Sequence, residues 1–261
     1  MEGMELLQLL ANHPSTAKFI SRKIAIRFVS DDPSASLVDA MSKTFQKKNC
    51  DVKQVLITMV SSPEFWSDNV LRSKTKSPFE LAISTLRALN AEVNQPYQLY
   101  NWVTRMGQQM YFYQAPTGFP DKGQYWINTG SLLSRMNFGL ALADGRIPGV
   151  KFDLLGLNKN HEPESAESAL LIYSTLIMPE RNTDETIKRL TPLLNDPDLQ
   201  QKIDKAADGT KENRKRMVTD SINDDVDKRK SNLASVHEMK NTYRLSQVIG
   251  ILIGSPEFQR R

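Results

Sequence analysis

Apolar residues recur at spacings of three and four along most of the chain, and no segment alternates strictly enough to read as a strand. That periodicity restricts the fold to packed helices. Leu37, Val38, Met41 and Phe45 line one face of a helix expected over about 36–48. Val52, Val55, Leu56, Met59 and Val60 line the next, with Asp51 at its N-cap. Ser77-Pro78-Phe79-Glu80 places a capping serine, a first-turn proline and a third-position glutamate ahead of Ala82, Ile83 and Leu86, which with Phe79 form the expected core face. Further helices are expected over about 14–29, from Pro96 through Trp102, and over 131–143, 165–178, 183–190 and 243–253. The helix over 131–143 carries Arg135 as its only charge and reads as central and buried.

Two segments interrupt the helices. Between Gly107 and Thr129, Tyr111, Phe112, Tyr113, Phe119, Tyr125 and Trp126 crowd among Pro116, Gly118, Pro120 and Gly123, a loop ordered by its own aromatics. Gly145 to Pro163 reads as a connection. The expected architecture is all-α: an irregular multi-helix array with a long aromatic, Pro/Gly-containing loop. Residues 1–150 hold the core helices and that loop. Residues 151–261 form a helical C-terminal region with a charged segment at 202–231 and a last helix that docks on the core. The charged segment has nine basic and seven acidic residues, a composition suited to a solvated helix or a linker. One short echo joins the halves: Ser-Pro-Glu-Phe follows an apolar helix at 62–65 and again at 255–258, a reused helix stop without a repeat period.

Composition excludes several classes. The 261 residues are 39% hydrophobic and 25% charged, so the chain can bury a core. Cys50 stands alone, which rules out an internal disulfide. The net charge of +4 is too even for a nucleic-acid binder without a patch, and basic residues are sparse in the aromatic loop. No apolar run spans a bilayer, and the acidic N-terminus lacks the pattern of a signal peptide.

Catalytic spacing is missing. His13, His161 and His237 lie far apart, with no second ligand at helical or finger spacing, so no metal and no cofactor is expected. No nucleophile elbow or phosphate loop occurs. Gly130-Ser131 opens a helix whose amides can face an anion or simply start the helix. On the helix over 14–29, Lys23 and Arg27 fall inside an apolar arc set by Phe19, Ile20, Ile24 and Phe28. Buried cations need partners, so Lys23 and Arg27 read either as a structural clamp or as an anion site. Arg135 invites the same two readings. Tyr111, Tyr113, Phe119, Tyr125 and Trp126 can stack on a sugar, a peptide or a base, or can plug the loop onto the core.

Several of these segments, in the same order, resemble one family. They are Asn12-His13-Pro14 through Arg22-Lys23, Arg27-Phe28-Val29-Ser30-Asp31-Asp32-Pro33, Ser62-Pro63-Glu64-Phe65-Trp66 and Lys76-Ser77-Pro78-Phe79-Glu80. They continue with Met106-Gly107-Gln108, Pro116-Thr117-Gly118-Phe119-Pro120-Asp121, Trp126-Ile127-Asn128-Thr129-Gly130, Leu133-Ser134-Arg135-Met136-Asn137-Phe138 and the closing Ser255-Pro256-Glu257-Phe258-Gln259-Arg260-Arg261. The chain resembles the C-terminal portion of the bacterial family catalogued as domain of unknown function 1800. The resemblance implies an all-helical protein, usually longer at its N-terminus, so this chain reads as a fragment. It implies no established activity. It also implies a partner, an exported sulfatase-like protein encoded nearby, with export possible only for a longer form carrying a signal, and self-association of the shortened chain.

The functional expectation is a non-catalytic binding or scaffold module working with a co-encoded partner. Its contact surface is Tyr111, Tyr113, Phe119, Tyr125 and Trp126, with Arg135 beneath. The alternative is a hydrolase on an anionic or glycan-like substrate. There Lys23, Arg27 and Arg135 hold the anion, and Glu64, Glu80 or Asp121 is the acid or base. The alternative requires these charges to converge on one open cleft.

Overall fold

A computed structural model describes residues 2–179, 181–194 and 235–261. The charged segment at 202–231 lies outside the described residues. Among the described residues the chain forms eleven α-helices and one two-stranded ribbon. Contacts divide it into two compact units: Met1–Ser77 with Tyr113–Ile127 and Arg260–Arg261, and Pro78–Phe112 with Asn128–Gln259. The units interleave along the chain.

The first unit holds α1 (Glu2–Asn12), α2 (Pro14–Phe28), α3 (Ala35–Lys47), α4 (Val52–Val60) and a 3-10 turn at Pro63–Trp66. Each helix start has a local cause. The His13 ring accepts the Ser15 N–H, the Ser34 hydroxyl accepts the Leu37 N–H, and the Asp51 carboxylate accepts the Lys53 and Gln54 N–H groups. Leu37, Val38, Met41 and Phe45 of α3 are all buried, as their spacing predicts, and pack with Ala17, Ala25 and Val29 and with Val55 and Met59 of α4. Val52 and Val60 are exposed.

The face of α2 differs from the expected one. Ala17, Ser21 and Ala25 are its buried residues, while Phe19 is 58% and Phe28 55% exposed. Small side chains bring α2 close to α3, and a close approach leaves no room for an aromatic ring. Helix α1 lay outside the expected helices.

The second unit holds α5 (Pro78–Ala88), α6 (Pro96–Arg105), α7 (Thr129–Ala143), α8 (Leu154–Leu157), α9 (Ala166–Ile177), α10 (Asp184–Leu194) and α11 (Ser235–Gly254). Its core joins Leu81, Ala82 and Leu86 of α5 with Phe138 and Leu142 of α7, Leu170 and Tyr173 of α9, and Val248, Ile249 and Leu252 of α11. The last helix therefore docks on the core, as its apolar sequence predicts. On α5 the buried set is Pro78, Leu81, Ala82, Thr85 and Leu86, with Phe79 exposed, so the core face lies about one residue off the expected one.

Helix α7 is buried on one side only, because Leu132, Leu133 and Met136 are exposed. Two strands appear where none was expected: β1 (Glu92–Val93) pairs antiparallel with β2 (Val150–Lys151), Glu92 opposite Lys151 and Val93 opposite Val150. Two residues per strand are too few for period-two alternation to register. The connection 145–163 thus contains β2 and α8.

Candidate functional site

In the first unit an ionic network anchors the aromatic loop. Asp31, just past α2, lies on the Ser-Asp-Asp-Pro turn. Lys74 is only 4% exposed and donates from Nζ to Asp31 Oδ1 at 2.5 Å and to the Asp121 carbonyl at 3.1 Å. The other Asp31 oxygen accepts the Gly123 N–H at 2.7 Å. Arg27 donates from Nη1 to Asp121 Oδ1 at 3.2 Å. Arg261 closes the network: its N–H donates to the Lys74 carbonyl at 2.8 Å and its guanidinium to the Arg27 carbonyl at 3.1 Å. A buried ammonium is tolerated here because a carboxylate and a carbonyl meet it. Gly123 is required, since a Cβ there would stand 2.9 Å from Thr75 Oγ1 and 3.2 Å from Asp31 Oδ2.

Above this anchor three rings pack in series. Tyr113 and Phe119 have centroids 4.6 Å apart, and Phe119 and Trp126 5.9 Å. Trp126, in the 3-10 turn Gly123–Trp126, is 5% exposed. It plugs the loop and presents little surface to solvent. Phe119 is half-buried, whereas Tyr113 and Tyr125 are exposed. Tyr111 is 98% exposed and belongs to the second unit.

Of the remaining expected residues, Lys23 and Arg27 lie in the first unit and Arg135 in the second. Lys23 is exposed, with Nζ 5.6 Å from the Phe19 ring centroid, and does not enter the core. Arg27 is half-exposed and bound to Asp121. Arg135, in the second unit, is 0% exposed, so it is sealed and offers no contact surface. Its Nη1 donates to Gln259 Oε1 at 3.3 Å, and Gln259 donates onward to the Gly254 carbonyl at 2.9 Å. Burial lowers the Arg135 pKa to about 10, with the Glu80 carboxylate pulling the other way, so the guanidinium stays charged at neutral pH.

The carboxylates considered as acid or base are engaged too. Glu64 accepts from Ser34 at 2.9 Å and from Ser36 at 2.6 Å, tying its turn to the start of α3. Its echo Glu257 binds Arg189 of α10, again as a cross-link within one unit. The Ser131 amide is not open to an anion either, since Asn128 and Ser131 form a capping box in which the Ser131 N–H meets Asn128 Oδ1 at 2.8 Å.

Sequence reasoning named Arg27 and Asp121 without pairing them, and it passed over Lys74 and Gly123 as site residues. The sequence held no signal for this pairing, since a turn aspartate such as Asp31 can equally be met by nearby backbone N–H groups or by water. Among the described residues no group of three or more His, Cys, Asp or Glu stands close enough to hold a metal ion. Among the same residues no helix is long and apolar enough to cross a membrane.

The motifs behind the resemblance therefore meet in space within each unit. Asp31, Arg27 and Asp121 converge in one, and Glu80, Arg135 and Gln259 in the other. No curated protein and no solved structure matches the chain. A family model does match, over residues 1–260, and the chain belongs to that family, described as protein of unknown function (DUF1800).

Proposed function

We propose that the chain is a non-catalytic binding or scaffold module whose contact surface is the loop 113–127, acting with a co-encoded, exported sulfatase-like partner. One observation carries this reading: Trp126 and the Asp31–Lys74–Asp121 network hold a loop that presents Tyr113 and Tyr125 to solvent. A rigid loop with exposed tyrosines offers large amphipathic contact area at low entropic cost. The hydrolase reading draws no support from the same geometry. Glu64 and Asp121 are held by hydroxyls and by Arg27, and Arg135 is sealed.

Capture of the tagged neighbour by the full chain tests the proposal. Tyr113→Ala/Tyr125→Ala is expected to abolish capture while the protein stays folded, with a fall of a few °C in the melting midpoint from the lost Tyr113–Phe119 contact. Capture that persists in the folded double variant overturns it.

A further inference from the structure

The segment Gly145–Pro163 does more than connect helices. With α9 and α11 it walls a cavity of about 640 Å3 that lies wholly within the second unit. Small-molecule sites span roughly 300–1,000 Å3 and combine an apolar body with a few placed polar groups. This cavity has both. Its floor is Val150, Leu154, Ala169 and Leu245, all apolar and buried. The floor is also fixed: the Tyr173 hydroxyl donates to the Leu154 carbonyl at 2.6 Å, the Asp153 carboxylate accepts the Gly156 N–H at 3.0 Å, and β2 is paired to β1.

The mouth carries charge of one prevailing sign. Among the described residues that line it, Asp153, Glu162 and Glu164 stand against one cation, Lys151. Asp144, also on the wall, is answered by Arg146 at 3.0 Å. The negative field reaches inward, since Asp153, after burial itself, pushes the Tyr173 phenol above its ordinary pKa. A carboxylate-bearing ligand meets repulsion at such a mouth. A bare metal ion finds no group of three ligands among the described residues. A neutral apolar ligand uses the floor and leaves the rim unanswered.

The geometry points to a binding site for a small organic cation, a primary amine or guanidinium on an apolar stem. The stem lies on the floor formed by Val150, Leu154, Ala169 and Leu245, and the head stands at the rim between Asp153 and the two glutamates. The head keeps part of its hydration there, which spares it the full cost of burying a charge.

Titration of the full chain with n-hexylamine, n-hexanoate and n-hexanol, followed by ligand-observed NMR, tests the assignment. Hexylamine is expected to bind in about the millimolar range or tighter, and hexanoate at least ~10-fold more weakly. Raising salt to ~0.5 M weakens the amine and leaves the alcohol unchanged. Glu162→Gln/Glu164→Gln lowers hexylamine affinity by about 3- to 10-fold without affecting hexanol. Ala166→Trp, at the first turn of α9 on the cavity wall, lowers both. Circular dichroism checks that each variant is folded, and the glutamine pair decides alone if the tryptophan variant is not. Equal binding of hexanoate and hexylamine, amine binding indifferent to the two glutamates, or no hexylamine binding below ~10 mM overturns the assignment.

Discussion

At the scale of single residues, the two members of the buried ion pair are unequal. Lys74 is 4% exposed, while the Asp31 side chain is 40% exposed. Removing Asp31 leaves a buried ammonium with the Asp121 carbonyl but without its carboxylate, and also orphans the Gly123 N–H. Removing Lys74 leaves a carboxylate that water can solvate from its open side. Asp31→Ala is therefore expected to cost about 2–4 kcal/mol, and Lys74→Met less than about half of that, since methionine keeps the stem's packing. Urea denaturation with unchanged m-values measures both. Equal losses, or a larger loss from Lys74→Met, contradict this account. The asymmetry was not legible in the sequence, where Asp31 and Asp32 look alike and Lys74 and Lys76 look alike. Which member of each pair pairs with which depends on how the chain returns after more than forty residues.

At the scale of elements, what the sequence showed best was local. Helix α3 matched residue for residue because Leu37, Val38, Met41 and Phe45 are large, evenly spaced and bury without competition. Helices α2 and α5 shifted because neighbours, not intrinsic hydrophobicity, choose the face: Ala17, Ser21 and Ala25 win over Phe19, and Leu81 over Phe79. The aromatic loop was legible as a loop, yet which ring plugs it and which faces water follows from Asp31 and Lys74. The cavity was not legible at all, since its wall is an irregular segment with no periodicity to read.

The contact of α7 against α11 rests on glycines of the same hidden kind. A Cβ at Gly139 would stand 2.8 Å from the Gly250 carbonyl oxygen and 3.1 Å from Ile253 Cγ2. Backbone cannot step aside cheaply, so overpacking outweighs the ~1 kcal/mol that alanine gains in a helix. Gly139→Ala is expected to destabilise by about 1–3 kcal/mol, a fall of roughly 3–8 °C in Tm. Gly254, whose nearest contact from a Cβ would be an ordinary 3.7 Å, is the control. Gly254→Ala is expected to be neutral or slightly stabilising. Matched melts of the two variants decide, and a Gly139→Ala protein as stable as the parent removes the close contact as a determinant of the fold.

At the scale of the whole molecule, charge follows the units more closely than it follows the linear sequence. The first unit carries 14 basic and 9 acidic residues, the second 20 and 21, so the excess of +4 comes from the first. Helix α1 departs from that unit's character. It has no buried residue, and Met4, Leu6, Leu7, Leu9 and Leu10 are all more than half exposed. On a helical wheel Leu6, Leu10 and Leu7 fall within about 100°, flanked by Leu9 and Met4, with Glu5, Gln8 and Asn12 opposite. An isolated exposed leucine is ordinary, but Leu6, Leu7 and Leu10 on one helix face make an apolar patch of the kind that seeks cover. In a solution of this chain alone, the matching surface at hand is the same face of another copy. Burying a leucine fully contributes about 1.5–3 kcal/mol, so Leu6→Gln/Leu10→Gln is expected to weaken self-association by roughly 100-fold while leaving the circular dichroism spectrum unchanged. Static light scattering across a concentration series reads both species. A parent chain that stays monomeric throughout, or a double variant that associates as tightly as the parent, shows that the exposed leucines of α1 do not drive association.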